Sequence, residues 1–106
     1  MIILVTKKEN FVISSKIVCK EYNADILKYL NSFDILSYDS ETSGLDCHTN
    51  KLFCIQLGTP EHQFVIDVRY VDINLFKDIL QNKCLLGVNL KFDLKFLFKL
   101  NIEIIK

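Results

Sequence analysis

Asp34-Ile35-Leu36-Ser37-Tyr38-Asp39-Ser40-Glu41 is the stretch on which the fold turns. It is entered through apolar residues, closes on acids and runs directly into the polar, glycine-containing residues 42–51, so residues 34–41 are expected to form a strand that ends at a loop. Side chains two apart on a strand share a face, which sets Asp39 and Glu41 beside each other, together with Ile35 and Ser37, roughly 7 Å apart at the backbone. Adjacent carboxylates repel. The pair is stable if it is well hydrated, if one acid is protonated, or if a cation neutralises both. A solvated strand end with incidental acids meets the first condition, so this segment taken alone leaves both readings open.

Downstream, residues 52–57 and 63–68 are apolar runs joined by Gly58-Thr59-Pro60-Glu61-His62; with residues 34–41 they read as a three-stranded meander. Asp72 is placed to cap a helix through residue 80, with Ile73, Phe76, Ile79 and Leu80 on one side. Residues 85–88 read as a short strand, 90–100 as a last helix and 102–105 as the start of another strand. Upstream, residues 2–6 and 11–19 flank the polar Lys7-Lys8-Glu9-Asn10 and read as a hairpin, while Ile26, Leu27 and Leu30 recur at helical spacing within residues 23–30. Three strands followed by helix, strand and helix indicate an α/β layer on a mixed sheet.

The 106 residues suffice for one domain, and half of them are apolar, with eight Phe, which supplies a core and excludes a disordered chain. Thirteen basic residues balance thirteen acidic ones, so any nucleic-acid contact is local and not the result of a global field. Cys19, Cys47, Cys54 and Cys84 show no Cys-x-x-Cys spacing and follow no secretory leader, as expected of reduced thiols in a cytoplasmic protein. The apolar residues 1–5 are far too few for a membrane span, and no membrane partner is expected.

The last helix bears on the two acids. At about 100° per residue, Phe96, Leu100, Leu97 and Leu94 surround Asp93, and Lys91, Lys95 and Lys99 take the opposite face. A charge aimed at the sheet costs several kcal/mol unless something pairs with it. The helix dipole favours an anion in the first turn by less than about 1 kcal/mol, and the helix has no basic residue on that side. A metal shared with Asp39 and Glu41 would supply the missing charge. Three hard carboxylates without His or Cys fit Mg²⁺ or Mn²⁺ better than Zn²⁺, and such ions act in pairs on phosphodiesters. The lysine stripe reads as a solvated outer face or an approach for phosphates. Cys47 and His48 hint at a softer metal site, but no second pair completes it. Tyr38, Phe92, Phe96 and Phe98 are mostly core candidates, with stacking on a base the alternative for an exposed one.

Asp39-Ser40-Glu41-Thr42-Ser43-Gly44-Leu45-Asp46 resembles the Asp-x-Glu-Thr-x-Gly-Leu motif of the DEDD superfamily of 3′-5′ exonucleases. Gly87-Val88-Asn89-Leu90-Lys91-Phe92-Asp93-Leu94-Lys95-Phe96-Leu97 resembles its second motif, Asn-x-x-x-Asp, in wording closest to the proofreading domain of family A DNA polymerases. The likeness spans nearly all of the chain after Asp34. It implies a ribonuclease H-like α/β fold and proofreading hydrolysis of 3′-terminal phosphodiester bonds of DNA by two divalent cations, with a single-stranded 3′ end as partner. By motif position, Asp39 would bridge both metals, Glu41 would bind the metal that holds the attacking water, and Asp93 would reach the second. Thr42 and the backbone after Glu41 would touch the terminal nucleotide, Leu45 would wedge against its base, and Asn89 would contact the strand. Leu45 as a core residue and Asn89 as a helix N-cap are the plainer readings of the same positions.

The superfamily's third motif is Tyr-x-x-x-Asp or His-x-x-x-Asp, and no Tyr or His here is followed at that spacing by an acid. The chain is therefore expected to be one incomplete exonuclease-like domain, residues 1–33 a hairpin and helix and residues 34–106 the two motifs. Alone it should be a weak enzyme, completed by a carboxy-terminal fragment or polymerase domain, or by pairing with a second copy along an unpaired sheet edge. Two other functions fit the letters: a non-catalytic module that binds nucleic acid or assembles, and an RNA-trimming exonuclease of the ribonuclease D type.

Overall fold

The computed structural model describes residues 1–6, 11–12, 17–44, 46–87, 90–100 and 102. One mixed sheet contains Ile2–Thr6 (β1), Phe11–Val12 (β2), Ile17–Glu21 (β3), Ile35–Thr42 (β4), Leu52–Gly58 (β5), Gln63–Asp67 (β6) and Cys84–Leu86 (β7), in the order β2-β3-β1-β6-β5-β4-β7. Helices Ala24–Asn31 (α1), Lys77–Asn82 (α2) and Leu90–Lys99 (α3), with a 3-10 turn at Ile73–Phe76, accompany it. Among the described residues no helix is long and apolar enough to cross a membrane.

The meander expected from residues 34–68 is present: β4 pairs antiparallel with β5, and β5 with β6. The expected hairpin of residues 2–6 and 11–19 is not. β1 lies between β3 and β6 and runs parallel to both, while the antiparallel pair is β2 with β3, Phe11 opposite Cys19 and Val12 opposite Val18. A hairpin would leave β1 a free edge on its other side, but Ile3 and Val5 are core residues, and burial of that kind is satisfied by an inner strand with neighbours on both sides. β7 joins the far side of β4 in parallel, Ile35 opposite Cys84 and Ser37 opposite Leu86.

Alternation along β4 decides what the sheet shows to each side. Leu36, Tyr38 and Ser40 point into the layer covered by the helices, and Ile35, Ser37, Asp39 and Glu41 point to the open face. The covered side holds one core, to which the strands give Ile3, Val5, Leu57 and Ile66, α1 gives Ile26 and Leu30, the 3-10 turn Phe76, α2 Leu80 and α3 Leu97. Asn23 caps α1 by accepting from the Asp25 N–H at 2.9 Å. Asp72 caps the next segment through the Asn74 N–H at 2.9 Å. That segment is no single helix as expected; it breaks at Phe76 (φ −101°, ψ 3°), whose buried ring meets Tyr22 edge-on at 5.8 Å. Ile102, expected to begin a strand, is buried and donates its N–H to the Leu97 carbonyl at 3.0 Å. Residues 103–105 of that expected strand lie outside the described residues.

Candidate active site

β4 carries the first two acids out of the core to the rim of the sheet. Asp39 stands opposite Gln56 and Glu41 opposite Cys54, and the register then shifts between Glu41 and Thr42, so that Thr42 faces Leu52. Such a bulge re-aims the chain where a ladder ends. The loop that follows is tied down locally. Ser43 and Lys51 exchange two bonds of 2.9 Å, Ser43 N–H to the Lys51 carbonyl and Lys51 N–H to Ser43 Oγ. Thr42 Oγ1 donates to the Gly44 carbonyl at 2.6 Å. Asn50 Oδ1 accepts from the Asp46 N–H at 3.0 Å, and its amide lies where a Cβ at residue 44 would sit, so a side chain there would displace it.

The third acid arrives on α3. Asp93 sits in the first turn at 3% exposure, among Phe96 and Leu97, as the apolar stripe predicts. Its partner is a hydroxyl and not a cation: Ser40 Oγ donates to Asp93 Oδ1 at 2.6 Å, both groups buried. Asp93 therefore meets β4 between the two exposed acids, from the covered side. Burial pushes its carboxyl above the usual range; the Ser40 bond opposes that rise, and the charges of Asp39 and Glu41 add to it. Tyr38, next to Ser40 on the covered side, buries a hydroxyl that has no hydrogen-bond partner among the described residues. Its phenol is pushed far up by burial and by the fields of Asp93 and Asp39.

Asp67 shows what an ordinary structural acid looks like in this sheet. It stands opposite Cys54, in the same cross-strand row as Glu41. Burial would raise its carboxyl, but Arg69 donates Nε at 2.9 Å and an η-nitrogen at 3.1 Å, Thr6 adds a hydroxyl at 3.2 Å, and the net shift is downward. Among the described residues this is the one ion pair. Asp39 accepts the neighbouring Ser40 N–H at 2.8 Å, and Glu41 lies exposed beside Cys54, whose thiol is raised by burial and by the Glu41 charge.

The expected metal set, Asp39, Glu41 and Asp93, is thus gathered at one end of β4, but from both sides of the strand. Among the described residues, donor atoms that all lie within 4.8 Å of one another belong to Asp46, Cys47 and His48 in the following turn. The alternation of the strand sends Asp39 and Glu41 to the open face and Ser40, with Asp93 bonded to it, to the covered side. The chemistry of the set fits hard divalent cations: three carboxylates, one of them buried without a basic partner among the described residues. Of the residues expected to touch nucleic acid, Thr42 is half-buried with its hydroxyl given to the loop, and Leu45 and Asn89 lie outside the described residues. Lys95 and Lys99 are exposed, and Lys99 donates to the His48 carbonyl at 2.7 Å. Sequence reasoning passed over Ser40 and Asn50. A polar residue alternating with Leu36 and Tyr38 on the core side was the signal for Ser40, because a buried hydroxyl needs a partner.

A family model described as 3′-5′ exonuclease matches residues 15–105. DNA polymerase I of Aquifex aeolicus (strain VF5) is 32% identical over 77 residues, which are 72% of this chain and 12% of that protein. Two solved structures share the fold: Escherichia coli RNase D, an exoribonuclease involved in structured RNA processing (TM-score 0.65, 23% identity, 76% of this chain and 22% of that one), and the Aedes aegypti Nibbler EXO domain (TM-score 0.64, 16% identity, 99% of this chain and 47% of that one). The chain thus spans less than half the length of each of these relatives. The mixed sheet with its flanking helices is the ribonuclease H-like fold of these exonuclease domains, and with the two acidic motifs on β4 and α3 and a family model matched over 91 residues, the chain belongs to the 3′-5′ exonuclease family.

Proposed function

We propose that the chain forms the acidic half of an exonuclease site that removes nucleotides from the 3′ end of single-stranded DNA with two divalent cations, Mg²⁺ or Mn²⁺. The observation that carries this reading is Asp93, buried against β4 beside Asp39 and Glu41 and bonded to a serine where a structural acid such as Asp67 has an arginine. Exonucleases of this family generally use divalent metals. Asp39, Glu41 and Asp93 would hold the ions, which supply an activated water and a charge for the leaving oxygen. Thr42 and the bonded loop behind Glu41 would set the wall against which the terminal nucleotide rests, with Leu45 and Asn89 in the roles their motif positions imply.

DNA is the favoured substrate because the sequence likeness is to a DNA polymerase. RNA is the second reading, favoured by the structural likeness to an exoribonuclease. The partner proposed to complete the site is the remaining part of an exonuclease or polymerase chain, with a second copy as the alternative. Mn²⁺ is expected to raise the melting temperature of the chain and Asp39→Ala to abolish the rise, since it removes the ligand shared by both ions. Release of the terminal nucleotide from 3′-labelled single-stranded DNA and RNA then decides the substrate. A melting curve indifferent to Mn²⁺ and EDTA would overturn the metal site. Single-stranded DNA binding that persists in EDTA and survives Asp39→Ala would replace the enzyme by a binding module.

A further inference from the structure

Ser40 stands in the middle of Asp-x-Glu, a position at which the motif specifies no side chain. Here it is buried at 8% exposure on the covered side of β4, and its hydroxyl is 2.6 Å from Asp93 Oδ1, which is itself buried. We infer that Ser40 is a positioning residue for metal binding: its hydroxyl fixes the Asp93 carboxylate and occupies Oδ1, so that Oδ2 is the oxygen presented to a cation. The inference rests on the reading of Asp93 as a metal ligand and goes beyond it by assigning the group that aims it.

Three observations support this. The bond joins two elements 53 residues apart in sequence, so it holds the first turn of α3 to β4 at the point where the acids meet. A hydrogen bond from a neutral hydroxyl to a carboxylate is charge-assisted and short, and it leaves the negative charge in place, unlike the arginine that neutralises Asp67. Tyr38, the neighbour of Ser40 along the covered side, has a buried hydroxyl without a partner among the described residues, so it does not share the task. Groups that orient a ligand in this way are typically worth about 10–100-fold in metal affinity.

The test is Mn²⁺ affinity, read as free Mn²⁺ by electron paramagnetic resonance in titrations of the wild-type chain, Ser40→Ala and Ser40→Thr, with melting temperatures recorded in EDTA. Ser40→Ala should weaken Mn²⁺ binding by about 10–100-fold, and Ser40→Thr, which keeps the hydroxyl, should restore most of it. Equal affinity of wild type and Ser40→Ala overturns the inference. So does an equal loss in the Ala and Thr variants that follows their melting temperatures, because that marks a packing role alone. Should Ser40→Ala fail to fold, Ser40→Cys keeps the volume with a much weaker donor and takes its place in the comparison. A wild-type chain that binds no Mn²⁺ refutes the proposed metal site, a result separate from a metal site indifferent to Ser40.

Discussion

Asp93 is where a single residue would link stability to the proposed function. Burial, and then the charges of Asp39 and Glu41, hold its carboxyl above the ordinary value of 3.8 against the opposing Ser40 bond. The folded protein therefore binds this proton more tightly than the unfolded chain does. The stability it contributes is complete below pH 3.8 and is lost as pH rises through the raised value, so without metal the ionised acid is a liability at neutral pH. Asp93→Asn removes the charge and keeps the shape. In EDTA at pH 7 the variant is expected to melt several degrees above wild type, with the gap closing as pH approaches 4; in Mn²⁺ the order should reverse, because only the wild type gains from the ion. Paired melting curves across that range check both halves, and a variant less stable than wild type in EDTA at pH 7 would show that the Ser40 bond outweighs the burial and the repulsion.

At the scale of elements, the loop behind Glu41 is a small device held by its own bonds. Asn50 holds Asp46 through its side-chain oxygen and its backbone N–H, and Ser43 and Lys51 close the neck. Asn50→Ala deletes one acceptor from a largely exposed turn, for a cost near 1 kcal/mol. Hydrogen exchange should quicken at the Asp46 amide, which loses its acceptor, while the amides of Leu57 and Ile66 in the central strands stay protected. Uniform acceleration across the sheet would mean that the loop supports the fold as a whole. Elements were legible in the sequence where local signals decide them: the meander through its turn, α1 through Asn23, and Asp93 on the apolar side of α3. They were less so where partners are distant. The alternation of Ile3 and Val5 is the same whether β1 pairs in a hairpin or lies parallel between β3 and β6, and only the long-range pairing tells the two apart. The burial of Asp93 was legible because a carboxylate on an apolar stripe stands out, whereas Ser40, cheap in any setting, declared itself only once its partner was in place.

For the molecule as a whole, the described helices contribute to one core on one side of the sheet. The other side carries Asp39 and Glu41 together with Ile2, Ile35 and Leu86, which are 41%, 54% and 56% exposed. Sheets with parallel pairings, here β3-β1-β6 and β4-β7, are ordinarily covered on both faces, and the apolar pair Ile35 and Leu86 beside the proposed site is more costly left to water than against protein. Sequence reasoning anticipated an exposed edge; the edge strand β7 has only three residues, and the larger apolar surface is the face beside it. Ile35 and Leu86 lie on β4 and β7, one pair of residues apart in the parallel register, with Cys84 opposite Ile35. If this face is the seat of the completing partner, the isolated chain should bind a dye specific for apolar surface and alkylate Cys84 rapidly. Ile35→Lys combined with Leu86→Lys should suppress dye binding and any concentration-dependent association while leaving the melting temperature within a few degrees, since neither side chain is in the core. Adding the remaining exonuclease segment should slow Cys84 alkylation on the wild-type chain and not on the double variant. Equal protection on both would place the contact elsewhere and leave the acids of β4 facing solvent in the assembled enzyme.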